Sequence, residues 1–210
     1  MIRWHEEAFE NSNVPLLELL IAESGLLLPN PLSHFRPYSH KVDQQLNMIR
    51  FLLQRYNCDI NATFRSHRWF LDAEYDTNML LEACLDRGEK TIMFLLENGA
   101  DPDGPGLADS VLAALFRHGR SPFPNENPTI PKVRLLLDHG AEINGSKTSP
   151  IDAEKHPRTL QPPLICAIKK RNFLMVEFLV SNSADVNATS GPETPLHLAR
   201  REGHGEIVEY

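Results

Sequence analysis

The run Thr63-Phe64-Arg65-Ser66-His67-Arg68-Trp69-Phe70-Leu71 sets two guanidinium groups among three large aromatic rings. Residues of this kind act by contact: a guanidinium forks onto carboxylates, and an aromatic ring buries a large area beside polar neighbours. Phe64, Arg65, His67, Arg68, Trp69 and Phe70 therefore read as a partner-binding knob. The competing role for Phe64, Trp69 and Phe70 is packing back onto the rest of the fold to cover an exposed edge. A second charged stretch, 145–160, holds Lys147, Asp152, Glu154, Lys155, His156 and Arg158 with few apolar residues. It reads as a solvated loop whose contacts, through Lys155 and Arg158, would be salt-sensitive.

Covalent and metal chemistry find no organised set of groups. There is no glycine loop ending in Lys-Ser/Thr to cradle phosphate, no G-x-S-x-G turn and no H-E-x-x-H helix. Glu6, Glu7 and Glu10, like Asp72, Glu74 and Asp76, are clusters of ordinary solvated charge. Among the 9 histidines only His34 and His40 lie close together, in a proline-bearing loop without nearby cysteines. Cys58, Cys84 and Cys166 are odd in number, form no CxxC pair and suit buried packing. No enzyme, cofactor, metal or small-molecule substrate is expected. Ser121-Pro122-Phe123-Pro124 reads as a stiff connector in preference to a docking motif.

Composition narrows the partners. The chain has 210 residues, 28 acidic against 21 basic side chains, a net charge of −7 and 41% hydrophobic residues. It can bury a core, and its charge opposes attraction to phosphate backbones, so nucleic acid is a poor partner. No apolar run approaches a membrane span, and Met1 to Glu10 lacks the apolar stretch of a signal peptide. A cytoplasmic or nuclear protein is expected, with no membrane partner.

The elements that must position these residues repeat. IRFLLQRYNCDIN (49–61), TIMFLLENGADPD (91–103), KVRLLLDHGAEIN (132–144) and MVEFLVSNSADVN (175–187) share a leucine-rich stretch running into an acidic turn. The acids Asp59, Asp101, Glu142 and Asp185 follow one another at 42, 41 and 43 residues. Six positions before them stand Leu53, Leu95, Leu136 and Leu179, which predicts one buried register throughout. Apolar residues at i, i+3 and i+4, as in Val133, Leu136 and Leu137, predict an amphipathic helix in each unit. Gly99 and Gly140 follow two of these helices, where a left-handed residue closes the last turn. Asn57 can do the same. Ser183 would be strained there, which predicts a looser helix end in the fourth unit.

A shorter helix precedes each long one. The clearest is Thr194-Pro195-Leu196-His197-Leu198-Ala199, with Thr194 as cap and Pro195 at the first helical position. Counterparts begin at Pro15, Met79, Ser110 and Pro163.

These residues resemble the ankyrin repeat family, whose signature is T-P-L-H-x-A followed by a helix ending in G-A-D-V-N. Thr194 to Ala199 matches the first part in full. Gly99-Ala100-Asp101, Gly140 to Asn144 and Ala184 to Asn187 match the second. The resemblance covers about Val14 to Tyr210 and implies an all-α fold, an ankyrin-repeat solenoid of about five helix-turn-helix units. Their approximate bounds are 14–61, 77–103, 107–144, 161–188 and 193–210, after a segment 1–13. It also implies that Asn61, Asn144 and Asn187 tie down the loops between repeats, a structural role that weakens the Asn-x-Thr sequons at 61 and 187 as glycosylation sites. His197 would hydrogen-bond within the stack.

The chain departs from the family's usual period of 33 residues. The excess falls between the helices of a repeat at 26–40 and 118–130, and between repeats at 62–76 and 145–160. The latter two lengthen the fingers that touch partners in this family. The fifth unit stops inside its second helix, which predicts either a fragment of a longer array or a frayed end. The resemblance implies a protein-protein interaction module that uses its concave face and fingers, as adaptor, inhibitor or transcriptional co-regulator. The alternatives are a substrate adaptor of a ubiquitin ligase and the regulatory repeats of a larger enzyme or channel.

Overall fold

A computed structural model of the chain describes residues 8, 13–24, 42–67, 74–85, 89–104, 110–118, 129–145, 161–189 and 193–210. The chain divides into two compact units, Met1–Asp101 and Pro102–Tyr210.

In the first unit, α1 (Val14–Ser24) packs on α2 (Val42–Tyr56), and α3 (Met79–Leu85) packs on α4 (Glu89–Glu97). Contact between α2 and α4 joins the two pairs. Asn13 and Asn78 cap α1 and α3, their Oδ1 atoms accepting from the N–H groups of Leu16 (3.1 Å) and Leu81 (2.8 Å). Between the pairs, β1 (Phe64–His67) and β2 (Glu74–Thr77) form an antiparallel ribbon. Among the described residues this ribbon is the departure from the all-α expectation. Its physical source is the length of the insertion, which lets the finger return on itself and satisfy its own backbone.

In the second unit, α5 (Val111–His118) packs on α6 (Thr129–Asp138), α7 (Pro163–Lys169) on α8 (Phe173–Ser181) and α9 (Pro195–Arg201) on α10 (Gly205–Glu209). The first helices also pack in sequence, α5 on α7 and α7 on α9. Thr194 caps α9 as expected: its Oγ1 accepts from the His197 N–H (3.4 Å) and lies 3.1 Å from His197 Nδ1. The expected hydrogen-bonding role of His197 is therefore met, from an exposed position.

The long helices α4, α6 and α8 share one register. Ile92 and Leu95, Val133 and Leu136, and Val176 and Leu179 are all buried, four to seven residues before the left-handed positions Gly99, Gly140 and Ser183. The first long helix does not share it. In α2 the buried residues are Gln45, Met48, Ile49 and Leu52, whereas Leu53 is half-buried. The equivalence of Leu53 with Leu95, Leu136 and Leu179 is thus corrected. The 15-residue α2 packs against both α1 and α4, and the face those neighbours cover is turned by one residue.

The expected loosening at Ser183 does not occur. Ser183 adopts φ 70°, its N–H donates to Val180 O (3.0 Å), and the Ala184 N–H donates to Leu179 O (3.0 Å). Gly140 and Ala141 make the same pair of bonds at 3.0 Å each. The hydrogen bonds of the turn hold the serine in place, so its strain lowers stability without opening the helix end.

Candidate partner-binding surfaces

The finger ribbon rises from a buried base. Phe64 pairs with Thr77, and Arg65, Ser66 and His67 stand opposite Asp76, Tyr75 and Glu74. Thr77 is fully buried, Phe64 is half-buried and Arg65 is exposed. Phe64 thus partly fulfils the packing role, while Arg65 stands on the solvent side of the ribbon. Positions 65 and 67 lie opposite two acidic positions in this register. Arg68, Trp69 and Phe70 lie outside the described residues. So do Lys155 and Arg158, the connector Ser121 to Pro124, and His34 and His40. The ribbon therefore brings Phe64, Arg65 and His67 together and does not place the other predicted contact residues.

The loops beneath the fingers are tied by a recurring bond. The Asp101 N–H donates to Asn61 Oδ1 (2.8 Å), and Asn61 Nδ2 donates to Gly99 O (3.3 Å). The Glu142 N–H donates to Asp103 Oδ1 (2.9 Å), and the Asp185 N–H to Asn144 Oδ1 (2.8 Å). Asn61 and Asn144 have the role that the resemblance implied. Asp103 performs it as well, since the bond needs only an acceptor oxygen. At Asn187 the local turn is the same, with its N–H on Asp185 Oδ1 (2.8 Å), but its side chain makes no such tie among the described residues.

Between neighbouring long helices, Arg50 stacks over the Phe94 ring at 5.4 Å, and Arg134 over Phe178 at 5.6 Å. These contacts commit two arginines to structure.

A second charged region lies where the first helices turn into the second ones. Lys169 and Arg201 occupy the last position of α7 and α9, and Arg117 falls at the corresponding register in α5. Lys170 and Arg171 follow Lys169, and Arg200 precedes Arg201. Lys169, Lys170, Arg171, Arg200 and Arg201 are exposed. Arg201 bonds Glu193 and, through Nε (3.3 Å) and Nη2 (2.9 Å), Glu202. Those carboxylates, Glu202 first, hold its guanidinium above the usual arginine range. The available sequence signal was the pair of basic runs 169–171 and 200–201, each at the end of a short helix.

Burial also raises the Cys58 thiol, while Cys84 and Cys166 are buried packing residues and all three are free. Among the described residues no group of three His, Cys, Asp or Glu could hold a metal ion, and no helix is long and apolar enough to cross a membrane.

Paired helices stacked in sequence and acidic turns tied loop to loop define a helical repeat protein. Residues 125–210 match the family of ankyrin repeats, in three copies, and this part of the chain is an ankyrin-repeat array. The chain is also similar to an ankyrin repeat protein of fowlpox virus (strain NVSL), 30% identical over 78 residues. That stretch is 37% of this chain and 11% of the viral protein, so the match spans a small part of the relative's length.

Proposed function

We propose that this chain is a non-enzymatic protein-protein interaction module, binding another protein through its finger ribbon and the face built by the first helices. The observation that carries this reading is the ribbon: a buried Thr77 and half-buried Phe64 anchor it, and Arg65 is held out in solvent. An exposed guanidinium on a paired strand, one position from an anchored base, offers a recognition group on a backbone that is already ordered. The repeat family matched by 125–210 is generally protein-binding and typically non-catalytic, which supports this reading. Soluble partners in the cytoplasm or nucleus fit the acidic composition, and the five repeats at the bounds given above supply the frame.

The test is crosslinking of the intact chain to partners captured from cells, compared with a variant carrying Phe64→Ala, Arg65→Ala, Arg68→Ala and Trp69→Ala. Loss of the crosslinked partner, with unchanged helical circular dichroism, is expected. Retention of the same partner at the same affinity would remove the finger from the binding surface.

A further inference from the structure

We infer that the edge of the second unit carrying Lys169, Arg171 and Arg200 binds an acidic, extended segment of a partner protein. The inference rests on the protein-binding reading and specifies the chemistry of the partner.

Charge placement is the first support. The chain carries a net −7, yet the last turns of α7 and α9 and the residues just after α7 gather Lys169, Lys170, Arg171, Arg200 and Arg201, all exposed. Arg201 shows what this edge accepts, since it takes two carboxylates, Glu193 and Glu202. Lys169, Arg171 and Arg200 engage no carboxylate among the described residues.

Cations at helix ends have an ordinary explanation, the attraction of the C-terminal carbonyls for positive charge. It accounts for Lys169, Arg200 and Arg201, which lie in the last turns of their helices. It does not account for Arg171. The turns after α7 and α9 superpose bond for bond: the N–H groups of Arg171 and Gly203 donate to Ile168 O (2.8 Å) and Arg200 O (3.2 Å), and those of Asn172 and His204 to Ala167 O (3.0 Å) and Ala199 O (2.9 Å). Both turns need a left-handed residue, with φ 53° at Arg171 and 72° at Gly203. Glycine adopts that conformation freely and arginine does not. An arginine kept beyond the helix, in a strained conformation, with its charge in solvent, marks a contact residue.

Spacing fixes the form of the ligand. Neighbouring packed helices lie about 8–10 Å apart, and an extended chain advances about 3.3 Å per residue. A segment crossing α7 and α9 would therefore offer a carboxylate to each basic turn at about every third residue. A short acidic peptide meets this edge alone, whereas a long polyanion also meets the field of an acidic chain.

The probe is a fluorescein-labelled twelve-residue peptide, (Glu-Gly-Ser)4, titrated into the full chain by anisotropy at low and moderate salt. Binding that weakens with salt, and that falls about tenfold or more in Lys169→Glu/Arg171→Glu/Arg200→Glu while Lys90→Glu leaves it unchanged, is expected. Arg171→Gly supplies an arm free of misfolding: it should raise the melting temperature while weakening peptide binding. No binding by the wild type, equal binding by the triple variant, Arg171→Gly binding at full strength, or tighter binding of single-stranded (dT)12 than of the peptide would each overturn the inference. If the peptide fails while the finger variant still loses its captured partner, the edge is discarded and the protein-binding reading stands.

Discussion

The two units build the same helix pairs around different interiors. In the first, Gln45, Thr77, Asn78, Glu82 and Thr91 are buried among the apolar residues; in the second, the buried polar residues described are Ser110 and Lys132. The contrast is sharpest at one register. Four residues after the caps Asn78, Pro162 and Thr194 stand Glu82, Cys166 and Leu198, all buried. A carboxylate thus holds a place that the second unit gives to sulfur and hydrocarbon. Asn78 also keeps a buried Nδ2 without a partner among the described residues. Burying polar groups forfeits part of the gain from removing surface from water unless each group is bonded. The ankyrin match to 125–210 lies in the unit where fewer polar residues are buried and does not reach the first unit, which builds helix pairs of its own. Helix pairing therefore tolerates polar substitutions in its interior, while the register of burial shifts from one helix to another.

Core truncations test that register most strongly. Leu179→Ala in α8 and Leu52→Ala in α2 should each lower stability by about 2–5 kcal/mol in urea unfolding, since both side chains are fully buried. Leu53→Ala should cost less than about half as much, because Leu53 is half-buried. A larger loss at 53 than at 52 would show that α2 uses the register of the other long helices after all, where the residues matching Leu52, namely Phe94, Leu135 and Phe178, are half-buried.

The loop ties separate the turns next. Asn144→Ala removes the acceptor for the Asp185 N–H and should cost about 1 kcal/mol, with faster hydrogen exchange at Asp185. Asn144→Asp should retain most of the bond, as Asp103 does for Glu142. Asn187→Ala should change stability by less than about 0.5 kcal/mol, because the tie seen at the other turns is not made there. A loss at 187 equal to that at 144 would break the distinction between tied and untied turns.

Much of this was legible in the amino-acid sequence, for local reasons. Thr194 and Pro195 announce a helix start by their own geometry, and Gly99 and Gly140 announce a helix end by their freedom at positive φ. The acidic turns could be placed by spacing alone. The turned face of α2 could not, because Leu52 and Leu53 are chemically identical and only the contacts with α1 and α4 choose between them. Pairing of 64–67 with 74–77 was hidden for a similar reason: the run mixes charges and aromatics without a clean alternation, and its register comes from the anchored ends. In the candidate site, Arg65 was visible as a residue type in an unusual neighbourhood. The basic edge was not, since Lys169 and Arg201 become neighbours only when α7 packs on α9.

The smallest effect compares the helix ends themselves. Gly99, Gly140 and Ser183 occupy equivalent turns at φ 90°, 92° and 70°, and a Cβ built at Gly99 or Gly140 meets nothing within 4 Å. A penalty for a side chain at these positions is therefore conformational and not steric crowding. Ser183→Gly should raise stability by about 0.5–1 kcal/mol, and Gly140→Ala should lower it by a similar amount. The two shifts have one physical origin and opposite signs, so thermal unfolding of both variants tests it. The hydrogen bonds around Ser183 match those around Gly140 in length, which leaves strain as the difference between the two turns. If Ser183→Gly failed to stabilise the chain, the serine would have to contribute through its hydroxyl, and the equivalence of the three turns would end there.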